Sequence, residues 1–280
     1  MSIFYIDSIS SGRAGRDCVN RQIEAIGFEI NPCDRCVANK TVNGKQMTIV
    51  WHVDDVKMSH DDDKALDEFM QHLRDIHDDE ETEVLKADHG PRHEFLGMTL
   101  DHSEPGKVKV DMSDGISKMA DEFEEKYEIN ETSKTPAADH SFKINETGEK
   151  SNEEMSNDFH THTAKGLFFC ERGRPDVQTA TAFLTTGVEQ PDKDDWKKLR
   201  QVLQYLRGTI DLELTLGADN IHNMKSWVDV SYGIHEDCKS HTGGLMSWGG
   251  GVLLTKCQTQ KLNTKSSTEG ERVGVSDFRP

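Results

Sequence analysis

The sequence predicts an α+β fold, and three observations carry that prediction. Short runs of β-branched and aromatic residues, separated by turn formers, recur over 40–58, 95–112 and 212–255. Between them lie stretches with apolar residues at helical spacing, notably 61–77 and 157–207. A length of 280 residues suits one large or two ordinary domains.

Taken in order, residues 1–16 are rich in Ser, Gly and Arg and carry little pattern beyond a possible strand at Phe4-Tyr5-Ile6-Asp7-Ser8. Val19, Ile23 and Ile26 share a helix face, and Gly27 stops it. Asn43-Gly44 signals a type I′ hairpin between Lys40-Thr41-Val42 and Lys45-Gln46-Met47. Residues 47–53 then read as a strand, Val56 to Ser59 pair back, and Asp54-Asp55 fall at the turn between them. Leu66, Phe69, Met70, Leu73 and Ile76 make one stripe of a helix over 61–77. Asp61-Asp62-Asp63 occupy its first turn, where the helix dipole favours negative charge. Asp78 to Glu83 read as a solvated acidic loop.

Phe95 to Asp101 and Val108 to Met112 are expected to pair about Glu104-Pro105-Gly106, and Ser113 to cap a helix bearing Ile116, Met119 and Phe123. Thr135-Pro136-Ala137 opens a polar stretch read as a linker. Over 157–207 the pattern is helical, interrupted at Arg174-Pro175-Asp176. Asp192 caps a helix with Trp196, Leu199, Val202, Leu203 and Leu206 on one face. Strands follow over 212–255. Lys265-Ser266-Ser267-Thr268-Glu269-Gly270-Glu271 then marks a helix start, with Glu269 as a cap residue.

Composition narrows the function. The chain has 51 acidic against 33 basic residues, a net charge of -18 and a mean hydropathy of -0.71. That balance argues against a strong, independent nucleic-acid binder, because duplex affinity rests on cations neutralising phosphates. No signal peptide and no apolar run long enough to span a membrane is present, so an intracellular setting with reduced thiols is expected. Cys33-x-x-Cys36 lacks the second pair a structural zinc site needs.

Asp54 and Asp55 are the residues on which chemistry would turn. Adjacent carboxylates repel unless a cation intervenes, and hard cations such as Mg²⁺ prefer carboxylate oxygen. The simpler alternative is a turn using Asp for local backbone hydrogen bonds. The Val53-Asp54-Asp55 hairpin, preceded by an apolar-aromatic run, resembles the catalytic turn of reverse transcriptases, with His52 where the family usually has Tyr. Its flanks resemble the copia-type retrotransposon polyprotein: Gly27-Phe28 and Asp34-x-Cys36 before it, Phe95-Leu96-Gly97-Met98 after it. Further on, Arg174-Pro175-Asp176, Trp196 and Tyr205-Leu206-Arg207-Gly208-Thr209 resemble that family's connection. Asp229-Val230-Ser231 and Ser267-Thr268-Glu269-Gly270-Glu271 resemble the start of its ribonuclease H.

The resemblance implies a partial reverse-transcriptase palm with its following hairpin and helix over 1–134, a linker over 135–156, a helical connection over 157–210 and a truncated ribonuclease H-like α/β domain over 211–280. It implies that Asp54, Asp55, Asp229 and Glu271 are catalytic and metal-binding, with Mg²⁺ as the ion. The implied partners are an RNA/DNA hybrid and a primer-template, a role the negative charge opposes; no membrane partner is expected. The family's first palm Asp has no match: Asp7 lies too close to the later motifs, and that segment is read as absent. A later ribonuclease H Asp is also expected to be missing, leaving an apolar sheet edge uncovered. The expected function is thus a fragment of a retrotransposon RNA-directed DNA polymerase with ribonuclease H, without activity. The alternative is a repurposed, non-catalytic binding or scaffold protein.

Overall fold

A computed structural model describes residues 2–7, 16–53, 55–77, 86–129, 131–143, 145, 147–235 and 237–278. Asp54 lies outside the described residues, as do the predicted acidic loop at 78–83 and most of the N-terminal Ser/Gly/Arg-rich stretch. Helices and antiparallel strands are mixed throughout, and the chain divides into two compact units, Met1–Pro105 and Gly106–Pro280.

The first unit runs β1 (Ser2–Asp7), α1 (Arg16–Ala25), β2 (Glu29–Ile30), β3 (Val37–Val42), β4 (Lys45–His52), β5 (Asp55–His60), α2 (Asp63–His77), β6 (Lys86–His89), β7 (Arg92–Phe95) and β8 (Met98–Asp101). Six strands form one sheet in the order β2-β3-β4-β5-β1-β6. The β3–β4 turn has Asn43 at φ 52° and Gly44 at φ 75°, both central residues left-handed as a type I′ turn demands. Strand alternation sorts the sheet into two faces. Met47, Ile49, Trp51, Val56 and Met58 point into a core shared with Ile23, Phe28, Leu66, Met70 and Leu73 of the α1 and α2 side. Thr48, Val50, His52, Asp55, Lys57 and Ser59 alternate with them and share the opposite face.

One local expectation changes. The run Phe95 to Asp101 is not one strand: Leu96 (φ 51°) and Gly97 (φ 71°) fold it into the β7/β8 hairpin, with Phe95 opposite Met98. The segment holding Asp7, read as a strand, forms β1 between β5 and β6, with Ile6 opposite Val56 and Asp7 opposite Lys86.

The second unit begins with β9 (Lys107–Asp111) and α3 (Ser113–Glu124). Ser113 is not the cap of α3; it lies in the first turn, and its N–H donates to the Asp111 carboxylate at 2.8 Å. Then come α4 (Glu153–Arg172), α5 (Gln178–Leu184) and α6 (Lys193–Gly208). Asp192 caps α6 in a reciprocal box with Asp195. An aromatic cluster joins the helices: Phe123, Tyr127 and Phe159 surround Trp196 with ring centroids 6.0, 4.6 and 5.6 Å away.

The predicted division near 134/135 therefore moves. The helix carrying Phe123 belongs with α4 and α6, and the break falls at 105/106. Nor is 135–156 a free linker. Lys198 Nζ donates to Lys143 O at 2.7 Å, Trp196 Nε1 donates to Ser151 Oγ at 3.0 Å, and Lys150 bridges to Asp192. Its polar composition reflects backbone fastened to the flank of α6 by hydrogen bonds.

The unit ends with β10 (Leu214–Ala218), β11 (Lys225–Ser231), β12 (His241–Ser247), β13 (Gly249–Gly250), β14 (Leu254–Thr259) and α7 (Ser267–Phe278). β9, β10 and β13 adjoin in the order β13-β10-β9, while β11, β12 and β14 form a three-stranded antiparallel sheet in that order. α7 packs on β11 and β12. Its start bears out the cap reading, since Ser266 Oγ accepts from Glu269 N–H and Glu269 accepts from Lys265 N–H.

The helices are tied together at Arg174, which is 1% exposed. Its guanidinium grips Asp176 through Nε and Nη2 at 3.0 and 2.8 Å, and donates to Thr209 O at 3.0 Å and Thr209 Oγ1 at 2.6 Å. Tyr205 donates to the same Asp176 carboxylate at 2.8 Å. Burial alone would raise the Asp176 carboxyl, but the Arg174 hydrogen bonds and charge outweigh it and hold the group below its ordinary range. Arg174→Met leaves a half-buried carboxylate without its cation, so a loss of about 3–5 kcal/mol is expected in urea unfolding followed by circular dichroism. A loss under 1 kcal/mol would show that the network does not hold the helices.

Candidate functional site

The β4–β5 connection is a two-residue turn, closed by the pair His52–Asp55. Val53, its first residue, is 72% exposed and has φ 54°. A β-branched residue in the left-handed region is a genuine outlier, costing about 1–3 kcal/mol, and such strain clusters at functional sites. Asp55 follows, half-buried at the start of β5 on the face away from the core. The β1/β5 register, Ile6 opposite Val56, carries the Asp7 backbone to the level of Asp55. The topology thus brings the Asp7 and Asp55 backbones to the end of the sheet where β4 gives way to β5.

Two residues further along β5, on the same face, is a group that spacing did not reveal. Lys57 Nζ donates to His102 Nε2 at 3.1 Å, and the His102 ring stands 6.4 Å from that of His93. Burial pushes Lys57 down to about 8. Burial first, then the Lys57 ammonium, pushes His102 down to about 4, which suits a neutral acceptor. One Lys in a strand of alternating burial gives no sequence sign that a later hairpin will cover it.

In the second unit the expected pair is divided. Asp229 of β11 and Glu271 of α7 lie on elements that pack together. Yet Val230 faces α7: a Cβ on Gly274 would fall on its Cγ2, and one on Gly270 would stand 3.5 Å from its Cγ1. Asp229 alternates with Val230 and points to the other face. There it lines a cavity of about 460 Å³ with Trp227, Leu245 and Cys257, roofed by Pro175, Gln178 and Thr179. Glu271 is half-buried on the helix side. Among the described residues no group of three His, Cys, Asp or Glu side chains is assembled to hold a metal ion. Cys33 and Cys36 are free thiols in a turn built by Asn31 and Asp34 accepting from their N–H groups.

The Asp229 face also carries a polar chain that the sequence did not announce. Cys257 Sγ lies 3.0 Å from His241 Nε2, His241 Nδ1 lies 3.0 Å from His235 Nε2, and Thr259 Oγ1 stands 3.0 Å from that same nitrogen. Burial raises the Cys257 thiol and lowers His241, so the pair rests as thiol and neutral imidazole, not as an activated nucleophile.

Two measurements test this geometry. Asn tolerates left-handed backbone, so Val53→Asn is expected to raise stability by about 1 kcal/mol, read as a higher urea midpoint at constant slope; no rise would mean the turn is unstrained. For the buried pair, the unfolded chain binds more protons than the folded one wherever a folded pKa is depressed, so stability climbs with pH there. Lys57 gives such a climb between about 8 and 10.5, and His102 between about 4 and 6.5. Lys57→Met is expected to flatten the alkaline limb and His102→Gln the acid limb, in thermal melts across pH. Unchanged limbs would refute the burial.

Over 106 residues, 37% of the chain, the sequence is 32% identical to a retrovirus-related Pol polyprotein from transposon TNT 1-94 of Nicotiana tabacum. Over 105 residues it is 30% identical to one from transposon RE2 of Arabidopsis thaliana. The aligned stretches make up 8% and 7% of those relatives. No protein-family model matches the sequence, and no solved structure matches the fold. No helix among the described residues is long and apolar enough to cross a membrane. The chain spans less than a tenth of the length of the relatives it matches, and it carries a stretch related to the Pol polyproteins of plant retrotransposons.

Proposed function

We propose that the chain is a fragment of a copia-type retrotransposon RNA-directed DNA polymerase with ribonuclease H, one that keeps the framework of its sites without their chemistry. The observation carrying this reading is the strained Val53 turn, which sets Asp55 at the rim of an antiparallel sheet whose other face is covered by helices. On this reading the first unit is a partial palm, α4 to α6 are the connection, and β11 to α7 begin a ribonuclease H-like domain.

Carboxylates at the β5 rim suit a hard cation, so Asp54 and Asp55 would hold Mg²⁺, with the Asp7 strand alongside. Bound there, the ion would polarise a primer 3′ oxygen and the nucleotide phosphates. The second unit does not fit a shared ion. Asp229 and Glu271 face away from each other across β11, and no hydrolytic step is derived through them. A primer-template or RNA/DNA hybrid would meet a chain of net charge -18. That charge favours the second reading, a binding or scaffold protein without chemistry.

Primer extension on an RNA template with Mg²⁺ separates the outcomes. The full chain is expected to extend no more primer than Asp55→Asn does. Mg²⁺-dependent extension that Asp55→Asn abolishes would overturn the loss of chemistry and establish a working polymerase.

A further inference from the structure

The β2–β3 connection carries two thiols that none of the chemistry above uses. Cys33 is exposed and Cys36 half-buried, and both are free. Their loop is closed at its neck, where Asn31 N–H donates to Val37 O at 2.8 Å, and again inside, where Val37 N–H donates to Asp34 O at 3.2 Å. Two side chains set its limbs: Asn31 Oδ1 accepts from Cys33 N–H and Asp34 Oδ1 accepts from Cys36 N–H, each at 2.8 Å. Pro32, between them, has its φ fixed by its ring. Ile30 stands opposite Ala38 in the β2/β3 ladder, so following the chain past the neck puts Cys33 and Cys36 on facing limbs. Residues 32–36 are too few to hold those limbs far apart, and a disulfide asks for Cα atoms about 4.4–6.8 Å from each other.

The two thiols differ in access. Cys33 meets solvent, whereas Cys36 packs against the core that holds Ala38, Ile49 and Trp51. The Cys36 carbonyl also accepts from Trp51 N–H at 3.0 Å. An accessible cysteine beside a resolving one is the arrangement that responds to oxidants. The other free cysteines among the described residues, Cys170, Cys238 and Cys257, all belong to the second unit, so the pairing is local to this loop.

We propose that Cys33 and Cys36 are a reversible modification site, closing to a disulfide within the loop against small-molecule disulfides of the glutathione class. The Cys33 thiolate attacks one sulfur of glutathione disulfide, which forms a mixed disulfide and releases one glutathione thiolate. The Cys36 thiolate then attacks the Cys33 sulfur, which forms the Cys33–Cys36 bond and releases the second. Two protein thiols are oxidised, one disulfide is reduced to two thiols, and the two protons pass through solvent to the leaving glutathiones. In a reducing compartment such a bond is transient and reports oxidant load. Cys36 O is tied to Trp51 N–H, two residues ahead of the strained Val53, so closing the loop stiffens the backbone that supports that turn. Neither thiol carries a step of the polymerase reading, and the site stands without it.

The test equilibrates the full chain in glutathione buffers of graded ratio, quenches with acid, alkylates, and reads the peptides by mass spectrometry. The fragment holding both cysteines is expected to become lighter by two hydrogen atoms. Its oxidised-to-reduced ratio should vary inversely with the square of the reduced glutathione concentration, the dependence of a closure that releases two thiols. Cys36→Ser removes the resolving thiol and should accumulate glutathione on Cys33. Cys33→Ser leaves only the half-buried thiol and should react about tenfold more slowly. A fragment whose thiols both remain alkylated at the most oxidising ratio overturns the proposal. So does glutathione that stays on Cys33 of the wild type without closure, a bond from either thiol to a third cysteine, or Cys33→Ser reacting as fast as Cys36→Ser.

Discussion

A single buried cation organises the larger unit. Arg174 lies where α4 gives way to α5, and its guanidinium spends its donors on Asp176 and on Thr209 just beyond α6. Three helices are thereby fixed by one planar fork. Lys could not substitute, because a point charge has neither the bidentate geometry nor the reach to two acceptor groups. The roof of the cavity beside Asp229 is built from Pro175, Gln178 and Thr179, the residues that directly follow this ion pair. Whatever the cavity receives, its walls inherit their position from Arg174.

Alternation along strands is the second constraint. On β5 it gives Val56 and Met58 to the core and leaves Asp55 and Lys57 together on the other face. On β11 it gives Val230 to α7 and turns Asp229 away from the helix that bears Glu271. The same period of two therefore groups polar residues in one unit and separates them in the other.

Much of this was legible in the sequence, and the illegible part has physical causes. Asn43-Gly44, the Asp192 cap and the stripe of Trp196, Leu199, Val202, Leu203 and Leu206 announce themselves because their signals are local. Leu96-Gly97 was hidden because a left-handed leucine is not a turn signal, so a hairpin was read as one strand. The fastening of 135–156 to α6 rests on Lys198 and Trp196 reaching residues more than forty positions away. The covering of Lys57 by His102 spans 45 residues of sequence, and no spacing rule anticipates it. Of the site, the β4–β5 hairpin that starts β5 at Asp55 was readable; the facing of Asp229 was not, since a strand's pattern does not say which side a later helix will choose.

The glycines of α7 carry a consequence for that last point. Gly274 lets the helix lie so close on Val230 that a methyl group there would collide with its Cγ2, while Gly270 sits beside the same side chain at ordinary contact distance. Interlocked surfaces of this kind act as a gauge block: helix and sheet have one permitted spacing. To swing Asp229 under the helix, β11 would have to slip by one residue, which would expel both of its valines into water and drive charge against the glycine seat. Separation of the two acids is therefore written into the shape of the joint, and no modest breathing of the fold would reunite them.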